Sequence, residues 1–268
     1  MVYFLAHGLA MRPSDRVARS PPDRVPCGRE EIDALVDATE HARDTAAQSG
    51  RPARRAYRPG EELANVVSHG FGTALACVGL VLLVVRAALH GTAWHIVSGA
   101  VFGSTLVLLY AASTAYHAIP TSAARAKHAA KVADHVCIYL LIAGSYTPFA
   151  LVTLRSGLGW WLFGATWLIA AIGVGAEAFW VYRPKWLSAL AYLGMGWIAI
   201  FAIRPLAAAL PPAGLWLLLA GGIAYTLGTI FYVMKRVPYM HAVWHGFVIG
   251  GSVCHFLAVF LGVWPSAT

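Results

Sequence analysis

Long apolar runs dominate this chain after residue 60, and each run is bounded by a few polar or turn-forming residues. The short interruptions contain Gly, Pro or charged residues, which typically end helices. Each run is close to the ~20 residues that an α-helix needs to cross a bilayer. The runs cover residues 64–89, 95–118, 132–154, 158–181, 186–206, 212–234 and 241–264. The pattern therefore predicts an all-α fold, a bundle of seven transmembrane helices.

Composition supports this interpretation and sets the first part of the chain apart. Of 268 residues, 59% are hydrophobic and 12% are charged, whereas a soluble domain carries about 25% charged residues. Residues 1–57 are instead rich in Arg, Pro, Asp and Ala, a composition typical of disordered segments. We predict a mostly disordered cytoplasmic tail over 1–57 and a membrane domain over 58–268. Translation can start at Met1 or Met11 on this sequence.

The distribution of Lys and Arg predicts the orientation of the bundle. The loops after the second, fourth and sixth runs hold seven basic residues, and the ends of the first, third and fifth hold three. Basic loops remain in the cytoplasm, so we expect a cytoplasmic N-terminus and a C-terminus outside. The net charge of +8 lies mainly in these loops rather than on one soluble patch, which argues against nucleic-acid binding.

Polar residues interrupt the apolar runs at four places. They are Glu61, Asn65 and His69 at the start of the first run, Ser113 and His117 at the end of the second, Asp134 at the start of the third, and His241 and His245 at the start of the seventh. Residues four apart share one face of a helix. Because successive spans alternate in direction, all four groups are expected at the same end of the bundle. Ionisable residues within a membrane usually face its interior.

This set of side chains suits a metal centre. His117, His241 and His245 can supply three nitrogens to Zn²⁺ and leave a fourth position for water, whose pKa the metal lowers to ~7. Asp134 would orient or deprotonate that water, and Ser113 would stabilise a developing oxyanion. These parts suit the hydrolysis of an amide or ester. Imidazole also binds several other metals.

We predict that three further residues contact the metal ligands and fix their orientation without binding the metal. They are Glu61, Asn65 and His69. Each candidate also has a structural interpretation. The histidines can be interfacial packing residues, Asp134 can cap a helix, and the Ser113 hydroxyl can bond to a carbonyl one turn earlier. Glu61 can simply begin its helix. Glu177, inside the fourth run, is either part of an ion pair or part of a separate polar path.

Pairs of glycines at helical spacing indicate where helices approach closely. Gly99 and Gly103 form one such pair in the second run, and Gly246 and Gly250 form another in the seventh. We interpret both pairs as structural.

The motifs, taken in order, resemble those of the progestin and adipoQ receptor superfamily, and within it the bacterial hemolysin III group. The resemblance covers residues 58–264. It depends on ExxxNxxxH (Glu61, Asn65, His69), SxxxH (Ser113, His117), DHxxIYLLIAGSYTPF from Asp134 to Phe149, and HxxxH (His241, His245).

The resemblance implies a seven-helix bundle with its N-terminus inside, in a bacterial inner membrane. It also implies zinc bound by His117, His241 and His245, with Asp134 reaching the ion through water and Ser113 nearby. Relatives in the superfamily include receptors with ceramidase-like activity, so membrane lipids are the implied substrates or ligands.

Three functions are therefore considered. The first is a zinc-dependent hydrolase of lipid amides or esters, and the second is a membrane receptor or sensor with structural zinc. The third is a channel, transporter or cytolysin. The sequence disfavours the third because its polar groups cluster at one end rather than along a path, and because it has no amphipathic pore-forming segment. No pattern predicts an oligomeric state.

Overall fold

The computed structural model describes residues 58–155, 157–234 and 236–264. The tail predicted over residues 1–57 lies outside this part of the chain. Within it the secondary structure is helical, without a β-strand. The predicted all-α class is therefore confirmed, whereas the predicted orientation across the membrane stays a prediction.

Eight α-helices, numbered in chain order, form the described part of the bundle. They are α1 (Pro59–His90), α2 (Ala93–Ala118), α3 (Ala124–Pro148), α4 (Gly157–Trp180), α5 (Lys185–Gly196), α6 (Ile203–Ala209), α7 (Pro212–Val233) and α8 (Met240–Gly262). A π-helical turn, Phe149–Thr153, extends α3, and a 3₁₀ segment, Trp197–Ala202, joins α5 to α6. With α5 and α6 counted as one span, seven helices are long and apolar enough to cross a membrane, as predicted.

The third helix begins earlier than the apolar run predicted. It starts at Ala124 rather than at residue 132, because the segment from Ala124 to Lys131 is rich in Ala, Lys and Arg, which are strong helix formers. Asp134 consequently lies in the third turn of α3. This position excludes the interpretation of Asp134 as a helix cap.

The fifth span is interrupted in the middle. Its α-helix ends at Gly196 and changes to 3₁₀ geometry, which leaves backbone groups without their usual helical partners. The Tyr146 hydroxyl of α3 lies in this gap, donating to the Gly196 carbonyl at 2.5 Å and accepting from the Ala199 N–H at 2.9 Å. A side chain of α3 therefore replaces hydrogen bonds that the helix itself lacks.

The outer surface of the bundle is apolar. On α1 the exposed apolar residues recur every three to four positions along one face, as Leu63, Val67, Phe71, Leu75, Val78, Val81 and Val85. The opposite faces of the helices bury large side chains such as Phe102, Leu83 and Leu162. An apolar outer face of this extent is what lipid-facing helices require, and the protein is an integral membrane protein.

The two glycine pairs differ in their surroundings. A Cβ added to Gly103 would lie 2.6 Å from Leu80 Cδ1 and 2.9 Å from Leu80 Cα, and one added to Gly99 would meet Trp264 at 2.9 Å. Gly246 and Gly250 have open space at the same position. Close packing is thus confirmed for the pair in α2, and the prediction for the pair in α8 is wrong.

Substituting Gly103 by Ala should therefore destabilise the bundle. The added methyl overlaps Leu80 of α1, and overpacking typically costs ~1–3 kcal/mol. Gly250→Ala is the matched control, for which we expect no loss and a gain of up to ~1 kcal/mol because Ala is the better helix former. Thermal unfolding of both variants in the same detergent measures the difference. Equal stability of the two variants would contradict this packing.

Candidate metal centre

Three histidines from two helices converge at one end of the bundle. His117 lies in the last turn of α2, and His241 and His245 lie on one face of the first two turns of α8. One potential ligand atom from each residue lies within 4.8 Å of the others. The ring centroids are 4.6 Å apart for His241 and His245, and 5.1 Å and 5.3 Å from His117 to those two rings. The sequence-based grouping of the three residues thus agrees with the geometry.

A carboxylate orients His117. Its Nδ1 lies 2.6 Å from Glu62 Oε2, so an Nδ1–H donates to the carboxylate and Nε2 is the nitrogen suited to a metal. Lys127 holds Glu62 in turn, with Nζ 3.3 Å from Oε1, and donates to the Tyr116 and Ile119 carbonyls at 2.7 and 2.9 Å. These carbonyls lie at the end of α2, so Lys127 also caps the helix that carries His117.

A hydroxyl orients His245. Ser68 Oγ donates its single proton to the Asn65 carbonyl at 3.0 Å and lies 3.0 Å from His245 Nδ1. A serine hydroxyl has only one proton to donate, so it accepts from His245 Nδ1–H. The lone pair of the neutral ring is then on Nε2, the nitrogen suited to a metal. Such partners on the second nitrogen are the usual feature of metal-binding histidines.

Asn65 and His69 contact the candidate ligands directly. The Asn65 Nδ2 lies 3.3 Å from His117 Nδ1, which is a packing contact, because His117 Nδ1–H already donates to Glu62. The His69 ring stacks on the His245 ring with centroids 3.4 Å apart and packs edge-on against Tyr110 at 5.0 Å. Both residues are buried. Both side chains therefore pack against rings of the candidate ligands, as residues that fix the orientation of metal-binding histidines do.

The side chain of Glu61 has different partners from that of its neighbour Glu62. Its carboxylate accepts backbone N–H groups from Arg58 at 2.9 Å and from Tyr239 at 2.8 Å. Tyr239 has a left-handed backbone, with φ of 61°, and immediately precedes α8. Glu61 therefore fixes the start of α8, and through it the position of His241.

Asp134 and Ser113 lie at the same end of the bundle as the three histidines. Asp134 is buried in α3, with Oδ2 3.3 Å from His135 Nδ1, and it is within electrostatic range of His117 and His69. Ser113 is buried one turn before His117 on the same face of α2. The bundle thus brings one carboxylate and one hydroxyl to the end that holds the three histidines.

The donor set fits a zinc ion. Zn–N bonds of about 2.0–2.1 Å in a tetrahedral site place the nitrogens ~3.4 Å apart, and the three nitrogens here lie within 4.8 Å of one another. Small side-chain movements suffice to close that difference. Three imidazoles and a carboxylate at the same end of the bundle are also a donor set that zinc favours.

Three of the supporting residues, Glu62, Ser68 and Lys127, were not predicted from the sequence. Glu62 does have a signal, because positions 62, 65 and 69 follow the spacing of one helix face, just as positions 61, 65 and 69 do. The choice between adjacent glutamates depends on the rotation of α1 against α2. Ser68 and Lys127 carry no comparable signal, since their contacts depend on tertiary packing.

Glu177 forms an ion pair, which decides between the two interpretations left open. Its Oε1 lies 2.6 Å from Arg183 NH2 and accepts from the Tyr192 hydroxyl at 3.0 Å. Arg183 also donates to the Tyr139 hydroxyl and to Ser188 Oγ, each at 3.0 Å. A buried charge is retained at tolerable cost only when it is paired in this way.

The fold and the site together define this protein as a seven-helix membrane protein with a candidate metal centre. Three histidines form that centre at one end of the bundle, and carboxylates lie beside it. Comparison with known proteins gives the family. The profile described as Haemolysin-III related matches residues 57–256, and the chain belongs to this family. The predicted membership of the progestin and adipoQ receptor superfamily, hemolysin III group, is confirmed.

Individual relatives support the same assignment. The chain is 46% identical over 199 residues to the Hemolysin-3 homolog of Bacillus subtilis (strain 168), covering 74% of this chain and 92% of the relative. It is 44% identical over 208 residues to Hemolysin-3 of Bacillus cereus, covering 78% and 94%. It is also 29% identical over 227 residues to the Monocyte to macrophage differentiation factor of Homo sapiens, covering 81% and 91%.

Replacing Glu62 by Gln should weaken metal binding. Loss of the carboxylate that holds His117 is expected to lower the affinity for Zn²⁺ by about 10- to 100-fold, the usual effect of removing such a partner. Competition with a fluorescent zinc chelator measures the affinity in detergent-purified protein. Arg125→Gln is the control, because it removes an exposed charge at the same end of the bundle. An equal or larger loss in Arg125→Gln would show that the affinity does not depend on the carboxylate at His117.

Proposed function

We propose that this haemolysin-III-related protein is a zinc-dependent hydrolase of lipid amides or esters. The observation that carries the proposal is the buried convergence of His117, His241 and His245 within 4.8 Å. Glu62 and Ser68 hold two of the three rings with Nε2 available. The carboxylate of Asp134, which can accept a proton, lies within electrostatic range of His117.

The neighbouring side chains have complementary roles in such a reaction. A divalent ion at the histidines would supply Lewis-acid chemistry, polarising the acyl carbonyl and lowering the pKa of a water. Asp134 accepts the proton of the attacking water and delivers it to the leaving nitrogen or oxygen. The Ser113 hydroxyl donates a hydrogen bond to the carbonyl oxygen as negative charge develops there. The products are a fatty acid and an amine or alcohol.

A lipid is the substrate class that suits this location. The site lies at the ends of membrane-spanning helices whose outer faces are apolar, so a lipid substrate would approach it from the bilayer. The bacterial inner membrane, with the histidine end in the cytoplasm, stays our prediction for the location. It is supported by the seven basic residues that the loops at that end carry.

Fatty-acid release by the purified, zinc-loaded full-length protein tests the proposal. A panel of ceramides and phospholipids in mixed micelles serves as substrate, and mass spectrometry detects the product. Asp134→Asn, which keeps the size of the side chain and removes the charge, should lower the rate by about 10²- to 10⁴-fold, the usual contribution of a general base. Gly250→Ala, on a face of α8 with open space, should retain the wild-type rate.

Other outcomes favour the rival functions. Wild-type protein that releases no fatty acid above Asp134→Asn, yet unfolds when a chelator removes its zinc, would overturn the proposal and favour a receptor or sensor with structural zinc. Dye leakage from vesicles without hydrolysis would favour the channel or cytolysin alternative.

A further inference from the structure

Three hydroxyl groups on three different helices form a chain of hydrogen bonds inside the bundle. The Tyr110 hydroxyl of α2 donates to Ser252 Oγ of α8 at 2.7 Å, and Ser252 Oγ lies 2.8 Å from the Tyr225 hydroxyl of α7. The Val248 carbonyl, one turn before Ser252, lies 3.3 Å from the same Tyr110 hydroxyl. We name Tyr110, Ser252 and Tyr225 the hydroxyl bridge.

The hydroxyl bridge lies two turns from a candidate metal ligand on each of two helices. Tyr110 precedes His117 by seven residues on α2, and Ser252 follows His245 by seven residues on α8. Seven residues make two helical turns, about 10.5 Å, and residues at this spacing share one face. The hydrogen bond from Tyr110 to Ser252 therefore joins the same two helix faces as the pair of histidines, at a deeper level in the bundle.

Two glycines make room for the tyrosine rings of the bridge. A Cβ added to Gly72 of α1 would lie 2.6 Å from Tyr110 Cδ1, and one added to Gly251 of α8 would lie 2.8 Å from Tyr225 Cζ. Tyr110 and Ser252 are also buried, with 2% and 6% exposure. The neighbouring helices therefore hold the bridge closely on several sides.

The ring of Tyr110 gives a second connection to the histidine centre. It packs edge-on against the ring of His69, with centroids 5.0 Å apart, and the His69 ring stacks on that of His245 at 3.4 Å. Tyr110 is thus linked to α8 both through its hydroxyl at Ser252 and through His69 at His245. A displacement of this one side chain would affect α8 at both levels.

Hydrogen bonds suit a bridge that must hold two helices in one register. Apolar side chains between helices tolerate small shifts, whereas a buried hydroxyl that loses its partner carries the cost of its desolvation. A single buried polar contact can fix the register of paired helices for this reason. A metal site with ligands on two helices needs such a fixed separation, because Zn–N bonds stay near ~2.0–2.1 Å.

We propose that the hydroxyl bridge is a positioning element for the metal centre. It sets the separation and register of α2 and α8, and thereby the distance between His117 on one helix and His245 on the other. Its side chains act through the two helices rather than by touching the metal. The inference rests on zinc binding by the three histidines, which is one part of the proposed function, and does not depend on hydrolysis.

Removing the hydroxyls one at a time from the full-length protein, purified in detergent, tests this assignment. Tyr110→Phe and Ser252→Ala should each weaken Zn²⁺ binding by about tenfold, the lower end of the usual effect for residues that orient metal ligands. The double variant Tyr110→Phe/Ser252→Ala should lose no more affinity than either single variant, because both changes remove the same hydrogen bond. Competition with a fluorescent zinc chelator measures all three affinities.

Tyr146→Phe is the matched control. It also removes a buried tyrosine hydroxyl, but this hydroxyl bonds α3 to the fifth span, and neither of these carries one of the three histidines. It should lower the midpoint of thermal unfolding and leave the Zn²⁺ affinity unchanged, which separates positioning from general stability. The absorption spectrum of bound Co²⁺ reports the coordination geometry, and it should change in Tyr110→Phe but not in Tyr146→Phe.

Three outcomes would overturn the proposal. They are an unchanged Zn²⁺ affinity in either single variant, an equal loss in Tyr146→Phe, and a loss in the double variant that equals the product of the two single losses. Wild-type protein that binds no zinc would overturn this proposal together with the metal centre. Affinity losses as expected in a protein that hydrolyses no lipid would support the positioning role and overturn only the proposed enzymatic activity.

Discussion

A membrane-spanning bundle must keep its polar side chains out of the lipid, and this constraint organises the whole structure. The polar groups of α1, α2, α3 and α8 can meet one another only in the interior, at the end where these four helices come together. The hydrogen bond of 2.6 Å between His117 and Glu62 is the clearest case. It pairs two ionisable groups, orients a candidate ligand and joins α1 to α2.

The same constraint explains why much of the fold could be predicted from the sequence. Apolar runs mark the membrane spans because lipid tolerates little else, and alternation of the spans brings His117, His241 and His245 to one end. The start of α3 was missed because its first two turns are polar, so only helix propensity marks them. The break in the fifth span was missed because it depends on the hydroxyl of Tyr146 from another helix.

Within the candidate site, residue types were easier to predict than contacts. The i, i+4 spacing fixes the face shared by His241 and His245, whatever the rest of the bundle does. Which of Glu61 and Glu62 contacts His117 depends on how α1 is rotated against its neighbours. The spacing of residues along the helix does not fix that rotation. The same holds for Ser68, whose contact with His245 joins positions 177 residues apart.

We propose that the three histidines hold zinc, and elemental mass spectrometry of detergent-purified protein tests this most directly. We predict about one zinc per folded wild-type chain, and its loss from both His117→Ala and the double variant His241→Ala/His245→Ala. Retention of the metal in those variants would place it elsewhere. Well-folded wild-type protein that takes up no zinc even when the ion is supplied would contradict the account and leave the histidines as packing residues.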